Sequence, residues 1–302
     1  MPSHHRSRPY HWTPQEWSRQ YFDTYGEQEW DRLANSAAGR TSFRQHAKLI
    51  HEFLSPGWHA LEAGAGPGRF TAVLLDHGVD VTVTDISQQQ LKLNEEHVPQ
   101  GSHGPGAIKG RYQMDICDLR TFADGTFDAS LALGGPLSYV FDAAPTALQE
   151  LIRVTKRGGI LIVSVMSLYG ALRVYLPNVL TQLRTPEFRD RFRNILTTGD
   201  IPIVDATHHS CRMYTSERLT NLITSQGCSL LHMQASNMLT ASEELATHDP
   251  STYHRHGPRT SIDDLLTPGT SQILNEYEDA ACRSAGNADS GTHIIAVCTT
   301  PT

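Results

Sequence analysis

Three stretches of this chain carry residue types suited to chemistry at a shared crevice. In the first, Glu62, Gly64, Gly66 and Gly68 fall between an apolar run that enters, Trp58 to Leu61, and a helix-competent run that leaves, Arg69 to Asp76. Glycines at such a turn allow positive φ and let the backbone approach a ligand closely. The helix that follows aims its unpaired N–H groups back at whatever the loop cradles. Glu62 ends the entering strand, and a carboxylate there repels phosphate but suits hydroxyl or ammonium donors. In the second stretch the β-branched run Val79 to Thr84 ends at Asp85. A carboxylate about 20 residues past a glycine loop reaches a ribose diol in a βαβ unit, and it can accept two parallel donors. A turn or helix-cap aspartate is the structural alternative. The third stretch is Met114-Asp115-Ile116. Together these describe a site for a nucleoside-like ligand without a pyrophosphate. A nicotinamide dinucleotide would want a glycine where Arg69 stands, and a phosphate loop would want a Gly-Lys-Ser/Thr ending.

Glu62-x-Gly64-x-Gly66-x-Gly68, then Asp85-Ile86, then Met114-Asp115-Ile116 resembles the class I S-adenosylmethionine-dependent methyltransferases. The resemblance covers roughly Phe53 to Gly159, and the remainder in outline. It implies S-adenosyl-L-methionine as cofactor, with Glu62, Ala63, Gly64, Gly66 and Gly68 at its methionine part and ribose. Asp85 would take the ribose hydroxyls. Ile86 would pack on the adenine, Asp115 would accept from its amino group, and the Ile116 N–H would meet the ring. Gln90 belongs to the same set, Asp118 is a rival to Asp115, and Leu133 and Gly134 would end strand four beneath the transferred methyl. On the N-terminal helices, Arg32 could hold the cofactor carboxylate, with Tyr25 beside it; a solvated Arg32 is the alternative. The exit of strand four, Gly134-Gly135-Pro136-Leu137-Ser138-Tyr139, lacks the Asn/Asp-Pro-Pro-Tyr/Phe sequence of DNA amino-methylating enzymes, which disfavours a nucleobase amine. Tyr21, Ser138, Tyr139 and Tyr169 are the candidate substrate residues. His209 and His208 are the candidate catalytic ones, because imidazole titrates near neutrality; a plain surface or cap histidine is the alternative.

The reaction so implied is displacement at the sulfonium methyl by a nitrogen, oxygen or carbon nucleophile of a small molecule, such as a specialised metabolite. Methylation of a peptide or protein is one alternative, and a non-methylating cofactor-binding cyclase or regulator is another. A polyamine synthase is disfavoured, since no acidic cluster follows strand four. No set of acids, histidines or cysteines has metal-ligand spacing.

These residues need a fold that brings strand ends together. Alternating strands and helices from Trp58 onward predict an α/β, Rossmann-like, doubly wound, mostly parallel seven-stranded sheet with an antiparallel last strand. Its strands are expected near 58–62, 79–84, 111–114, 127–133, 160–165, 228–235 and 293–299. Helices are expected at 69–77, 87–97, 143–154 with a basic, glycine-terminated end at Lys156-Arg157-Gly158-Gly159, and 216–225. Residues 1–54 form a helical cap that begins at a Thr13-Pro14-Gln15-Glu16 start signal, and 55–302 form the cofactor-binding domain. Helical insertions occupy 168–227 and 238–290, the latter with helices at 242–247, 261–266 and 270–284, because about 55 residues are too many for a hairpin turn.

Composition bounds the rest. Of 302 residues, 39% are hydrophobic and 19% charged, as in ordinary globular proteins. A formal charge of −7 argues against a general nucleic-acid surface. No apolar run approaches the ~20 residues of a membrane span. Met1 to Tyr10 lacks the apolar centre of a secretory signal, and the five scattered cysteines suit reduced thiols, so a cytoplasmic location is expected. A homodimer is compatible with the sequence.

Overall fold

The computed structural model describes residues 12–243, 266–284 and 286–302. Helix α1 (Pro14–Tyr25) starts at the expected signal: Thr13 Oγ1 accepts from the Glu16 N–H, and Glu16 accepts from the Thr13 N–H. Short α2 (Gln28–Arg32) and long α3 (Ala37–Phe53) follow. Then come β1 (His59–Ala63), α4 (Arg69–Asp76), β2 (Asp80–Asp85), α5 (Gln88–His97), β3 (Ile108–Gln113), β4 (Phe127–Ala132), α6 (Pro136–Tyr139), α7 (Ala144–Val154) and β5 (Thr155–Met166). The second half holds α8 (Leu168–Gln182), α9 (Pro186–Thr198), the two-residue strands β6 (Asp200–Ile201) and β7 (Cys211–Arg212), α10 (Ser216–Ser225), β8 (Ser229–Ser236), α11 (Pro268–Arg283) and β9 (His293–Thr299).

Seven strands form one sheet in the order β3-β2-β1-β4-β5-β9-β8. β1 to β5 pair in parallel, and β9 runs antiparallel to both β5 and β8. Strand side chains alternate between faces. Leu61, Leu161, Val163, Ile294 and Ala296 face α7 and α10 through Leu148, Leu151, Leu219 and Ile223. Ala60, Val81, Val83, Leu131, Ile160, Ile162 and Ile295 face α3 and α4 through Leu49, Ile50, Phe70 and Leu74. So α3, grouped by the sequence with the cap, supplies part of the helical layer, and only α1 and α2 remain as cap. α1 packs on α5 and α6, and the Trp17 indole N–H donates to the Asp205 carbonyl at 3.1 Å, joining the cap to the segment between β6 and β7.

Two features depart from the sequence expectation. Helix α7 stops at Val154, and Lys156 to Gly159 continue as extended chain rather than as a basic helix end. The Thr155 hydroxyl donates to the Leu151 carbonyl at 2.7 Å and Thr155 is buried, so the chain turns directly into β5. The glycines there serve a register shift between β4 and β5, with Gly158 at φ +69°. Secondly, α8, α9, β6 and β7 build their own small core around Leu168, Ala171, Cys211 and Met213, against which Tyr139 packs. The expected helix at 270–284 is α11. The one at 261–266 and most of the one at 242–247 lie outside the described residues; Thr240–Glu243 is a single 3₁₀ turn.

Candidate active site

β1, β2 and β4 end at the same edge, because Ala63 pairs with Thr84 and Glu62 with Leu131. The segments leaving them therefore meet around one cleft, which holds about 670 Å³ with its mouth included. Gly64, Gly66, Asp85, Ile86, Gln90, Asp115, Ile116, Leu133, Gly134 and Tyr139 line it, all named from the sequence. Met114, Pro136 and Val140 complete the floor, while Pro14, Gln15, Ser18, Phe22 and Glu29 close it from the cap.

The glycine loop is shaped by what it touches. Gly64 has φ +69°, and a β-carbon there would lie 2.6 Å from Pro136 Cγ, so this glycine allows the loops after β1 and β4 to approach. The Gly64 N–H donates to the Thr84 carbonyl at 2.8 Å. Asp85 holds the loop and the next helix at once: Oδ2 accepts from the Gly66 N–H at 2.9 Å and Oδ1 from the Ser87 N–H at 2.8 Å. Burial pushes its carboxyl up to about 6, against the lowering effect of those two N–H groups. Each oxygen keeps lone-pair capacity for an incoming hydroxyl.

Gln90 is 1% exposed. Its Nε2 donates to the Phe22 and Gly26 carbonyls at 2.9 and 3.1 Å, whereas its buried Oε1 has no partner among the described residues. Oε1 lies 3.9 Å from where a β-carbon on Gly66 would stand. An orphaned acceptor beside Asp85 calls for a ligand donor, since an unmet buried acceptor costs about 1–3 kcal/mol. A ribose diol fits that demand. Asp115 Oδ1 accepts from the Cys117 N–H at 2.9 Å and Asp115 lines the cleft, whereas Asp118 pairs with Arg120 on the surface.

Several sequence-named residues stand outside the lining. Glu62 is 1% exposed beneath the loop, with Thr71 Oγ1 donating to its Oε2 at 2.6 Å. Burial, helped by Asp85, pushes its carboxyl up to about 8. Ala63 is buried in the sheet. Gly68 begins α4 at φ +101°, where a β-carbon would meet Val98 and Asn94, so it serves helix packing. Ser138 is buried and accepts from the Met166 N–H at 3.0 Å; its hydroxyl ties α6 to β5 instead of facing the cleft. Tyr169 is an exposed residue of α8. His208 points outward, its Nδ1 2.8 Å from Asp205 Oδ2 in an exposed turn, so it is placed away from the site.

His209 does reach inward, through one intermediary. Its Nε2 lies 3.2 Å from the Tyr139 hydroxyl, and Tyr139 lines the cleft. Tyr21 meets the imidazole edge-on and stacks on Trp17 and Tyr25; Phe22 lies against Tyr139. Burial holds the Tyr139 phenol well above its ordinary value, so it stays a hydrogen-bond donor near neutrality. Arg32 stands beside Gly134, its Nη2 3.5 Å from where a β-carbon there would be, and it is paired with Glu29. Glu29 went unnamed in the sequence; its one signal was an acid three residues before an arginine on a cap helix.

No helix among the described residues is long and apolar enough to cross a membrane.

Comparison with known proteins finds similarity to methyltransferases over part of the chain. Residues 61–163 match the model of a methyltransferase domain. The 2-methyl-6-phytyl-1,4-hydroquinone methyltransferase of Synechocystis is 35% identical over 113 residues, which are 37% of this chain and 33% of that protein. The malonyl-acyl-carrier-protein O-methyltransferase of Erwinia pyrifoliae is 32% identical over 146 residues, 44% of this chain and 50% of that one. The chain thus spans only a third to a half of the relatives it matches. Among solved structures, Synechocystis magnesium protoporphyrin IX methyltransferase with bound S-adenosylhomocysteine shares the fold, with a TM-score of 0.55 at 13% identity, over 95% of this chain and 99% of that one. The glycine loop and the strand-end acids Asp85 and Asp115 lie within the stretch, residues 61–163, that matches the methyltransferase-domain model.

Proposed function

We propose that this chain transfers the methyl group of S-adenosylmethionine to a nitrogen, oxygen or carbon nucleophile of a small molecule, as part of specialised metabolism. The observation that carries the reading is the run of acceptors along the cleft: Gln90 Oε1 and Asp85 for a ribose, then Asp115 for an adenine amino group. When bound, the cofactor supplies an electrophilic methyl on a sulfonium. The chain then has to align an acceptor with that methyl and keep water out, which can contribute about 7–11 kcal/mol. Phe22 and Tyr139, packed edge to face, line the cleft with flat rings that favour a planar acceptor. The hydroquinone and demethylmenaquinone named for two relatives are of that kind. Tyr139 is the group that touches the acceptor, while His209 positions it and takes its proton. Donation of the Tyr139 O–H to His209 Nε2 leaves phenol lone pairs free to accept from a hydroxyl or acidic carbon.

The test is calorimetric and then chemical. S-adenosylhomocysteine should bind and NAD should not; label from methyl-labelled cofactor should pass to a hydroquinone acceptor. Binding of NAD without S-adenosylhomocysteine would overturn the reading.

A further inference from the structure

Helices α8 and α9 form an arm whose surface differs in character from the rest of the chain. Residues 168–199 carry five arginines, Arg173, Arg184, Arg189, Arg191 and Arg193, against two acids, Glu187 and Asp190. The arm is therefore positive by three charges, in a chain whose formal charge is −7. Along α8, Tyr169, Arg173, Leu176 and Leu180 follow the spacing that puts side chains on one helix face, and all four are exposed. Leu176 and Leu180 are 47% and 57% exposed. Arg184 follows four residues on, at the turn into α9. Arg189 folds back over that turn, its Nε and Nη2 donating to the Leu183 and Arg184 carbonyls at 3.0 and 3.2 Å. On α9, Leu196 is exposed three residues after the exposed Arg193.

The root of this arm is fixed. The Ser167 hydroxyl accepts from the Gly170 N–H and donates to the Asp289 carbonyl at 3.0 Å, and Leu168 and Ala171 pack with Cys211 and Met213. The tip, residues 184–187, is exposed throughout. Leucines interleaved with arginines on an exposed helix face suit a boundary between water and hydrocarbon: the leucines enter the acyl region while the guanidiniums stay with the phosphates. We propose that the arm docks this protein on the surface of an anionic lipid bilayer, with Leu176 and Leu180 in the acyl boundary and Arg184, Arg189 and Arg191 on lipid phosphates. Charge selects that occupant. A second copy laid symmetrically on the same face would set arginine against arginine, and a nucleic acid would leave the leucines in water. The arm lies on the surface and spans nothing. Because α8 leaves β5 at the carboxyl edge of the sheet and its core packs against Tyr139, docking holds the edge that carries the cleft near the membrane.

Sedimentation with vesicles tests the proposal without any turnover. Wild type should bind vesicles of mixed phosphatidylcholine and phosphatidylglycerol and not phosphatidylcholine alone, and raised salt should weaken the binding. Arg184→Glu with Arg191→Glu should weaken partition ~30-fold or more, about fivefold for each positive charge removed. Leu176→Ser with Leu180→Ser should weaken it ~10-fold. All four positions are exposed, and an unchanged melting temperature checks that each variant is folded. A wild type that binds neither vesicle overturns the proposal whatever the variants do. Equal binding to both vesicle types overturns the role of the arginines and with it the proposal. A leucine variant that binds as wild type does, or a wild type that binds duplex DNA as tightly as the anionic vesicles, leaves a general polyanion site and overturns it too. A wild-type dimer that ignores vesicles and dissociates in the leucine variant makes this face a subunit contact instead.

Discussion

Replacing Glu62 by Gln should flatten the pH dependence of stability, and the size follows from its burial. The side chain is 1% exposed, Thr71 Oγ1 donates to it, and burial pushes its carboxyl up from the ordinary carboxylate range to about 8. A folded-state value above the unfolded one means that the folded chain binds the proton more tightly. The associated stability is fully present below the unfolded value and is lost as pH rises through about 8. Each pH unit inside that window changes stability by up to about 1.4 kcal/mol. Between about pH 6 and about pH 8 the wild type should lose about 2 kcal/mol on this account. Glutamine copies the protonated acid in shape and cannot ionise, so the variant should match wild type only below the unfolded value, and exceed it by about 2 kcal/mol near pH 6 and by about 4 kcal/mol near pH 8. Asp85, raised to about 6, contributes with the same sign but mostly below this window. The buried His46, lowered to about 4, acts oppositely, its effect ending as pH rises past the ordinary histidine value, and it cancels in the wild type–variant difference. Urea unfolding of both proteins at three pH values, with unchanged m, gives the difference directly. A wild type–variant difference constant from pH 6 to pH 8 would refute the argument, because Glu62 would then be ionised throughout or already neutral in both states.

Asp85→Asn should weaken S-adenosylhomocysteine binding by roughly 1–3 kcal/mol. In wild type that binding should weaken as pH falls through about 6, since hydroxyl donors favour the ionised carboxylate, and the variant should lack this dependence; titration calorimetry at several pH values decides. For chemistry, Tyr139→Phe and His209→Asn should each lower kcat by ~10²-fold, with His209→Asn leaving S-adenosylhomocysteine affinity nearly unchanged. The double variant should be little slower than either one, because the two act as a unit; additive losses in single-turnover assays would separate them.

The central domain was legible because its signals are local. An apolar run before the glycine loop marks β1, a β-branched run after Gly78 marks β2, an apolar stretch between Gly125 and Gly134 marks β4, and the last strand, His293–Thr299, has the predicted bounds. The stretch after α7 misled for an equally local reason. Gly158-Gly159 after basic residues looks like a helix end, and only pairing with β4, a long-range event, recruits it into β5. The two-residue strands β6 and β7 are too short to leave any periodicity.

At the site the same division holds. The glycine loop and Asp85, Asp115 and Gln90 follow from position at strand ends and the first turn of α5, so their convergence required only the parallel sheet. Adjacent residues with identical chemistry could not be ranked that way. His208 and His209 differ only in partner: the Asp205 carboxylate, fixed by its own turn, captures His208 in solvent and leaves His209 to Tyr139. Ser138 and Tyr139 divide likewise, because a helix turn that donates one side chain to β5 must aim the next elsewhere. Glu29 is the extreme case. Nothing on α2 itself distinguishes a solvated acid from one lodged against Gly66. What decides it is the stack of Arg69, Trp30 and His97, which draws three separate helices together and turns Glu29 and Arg32 inward. The inward side chains of the cap are thus set by tertiary contacts such as the Trp17–Asp205 hydrogen bond and the Arg69–Trp30–His97 stack, whereas the strand-end residues are set by the parallel sheet alone.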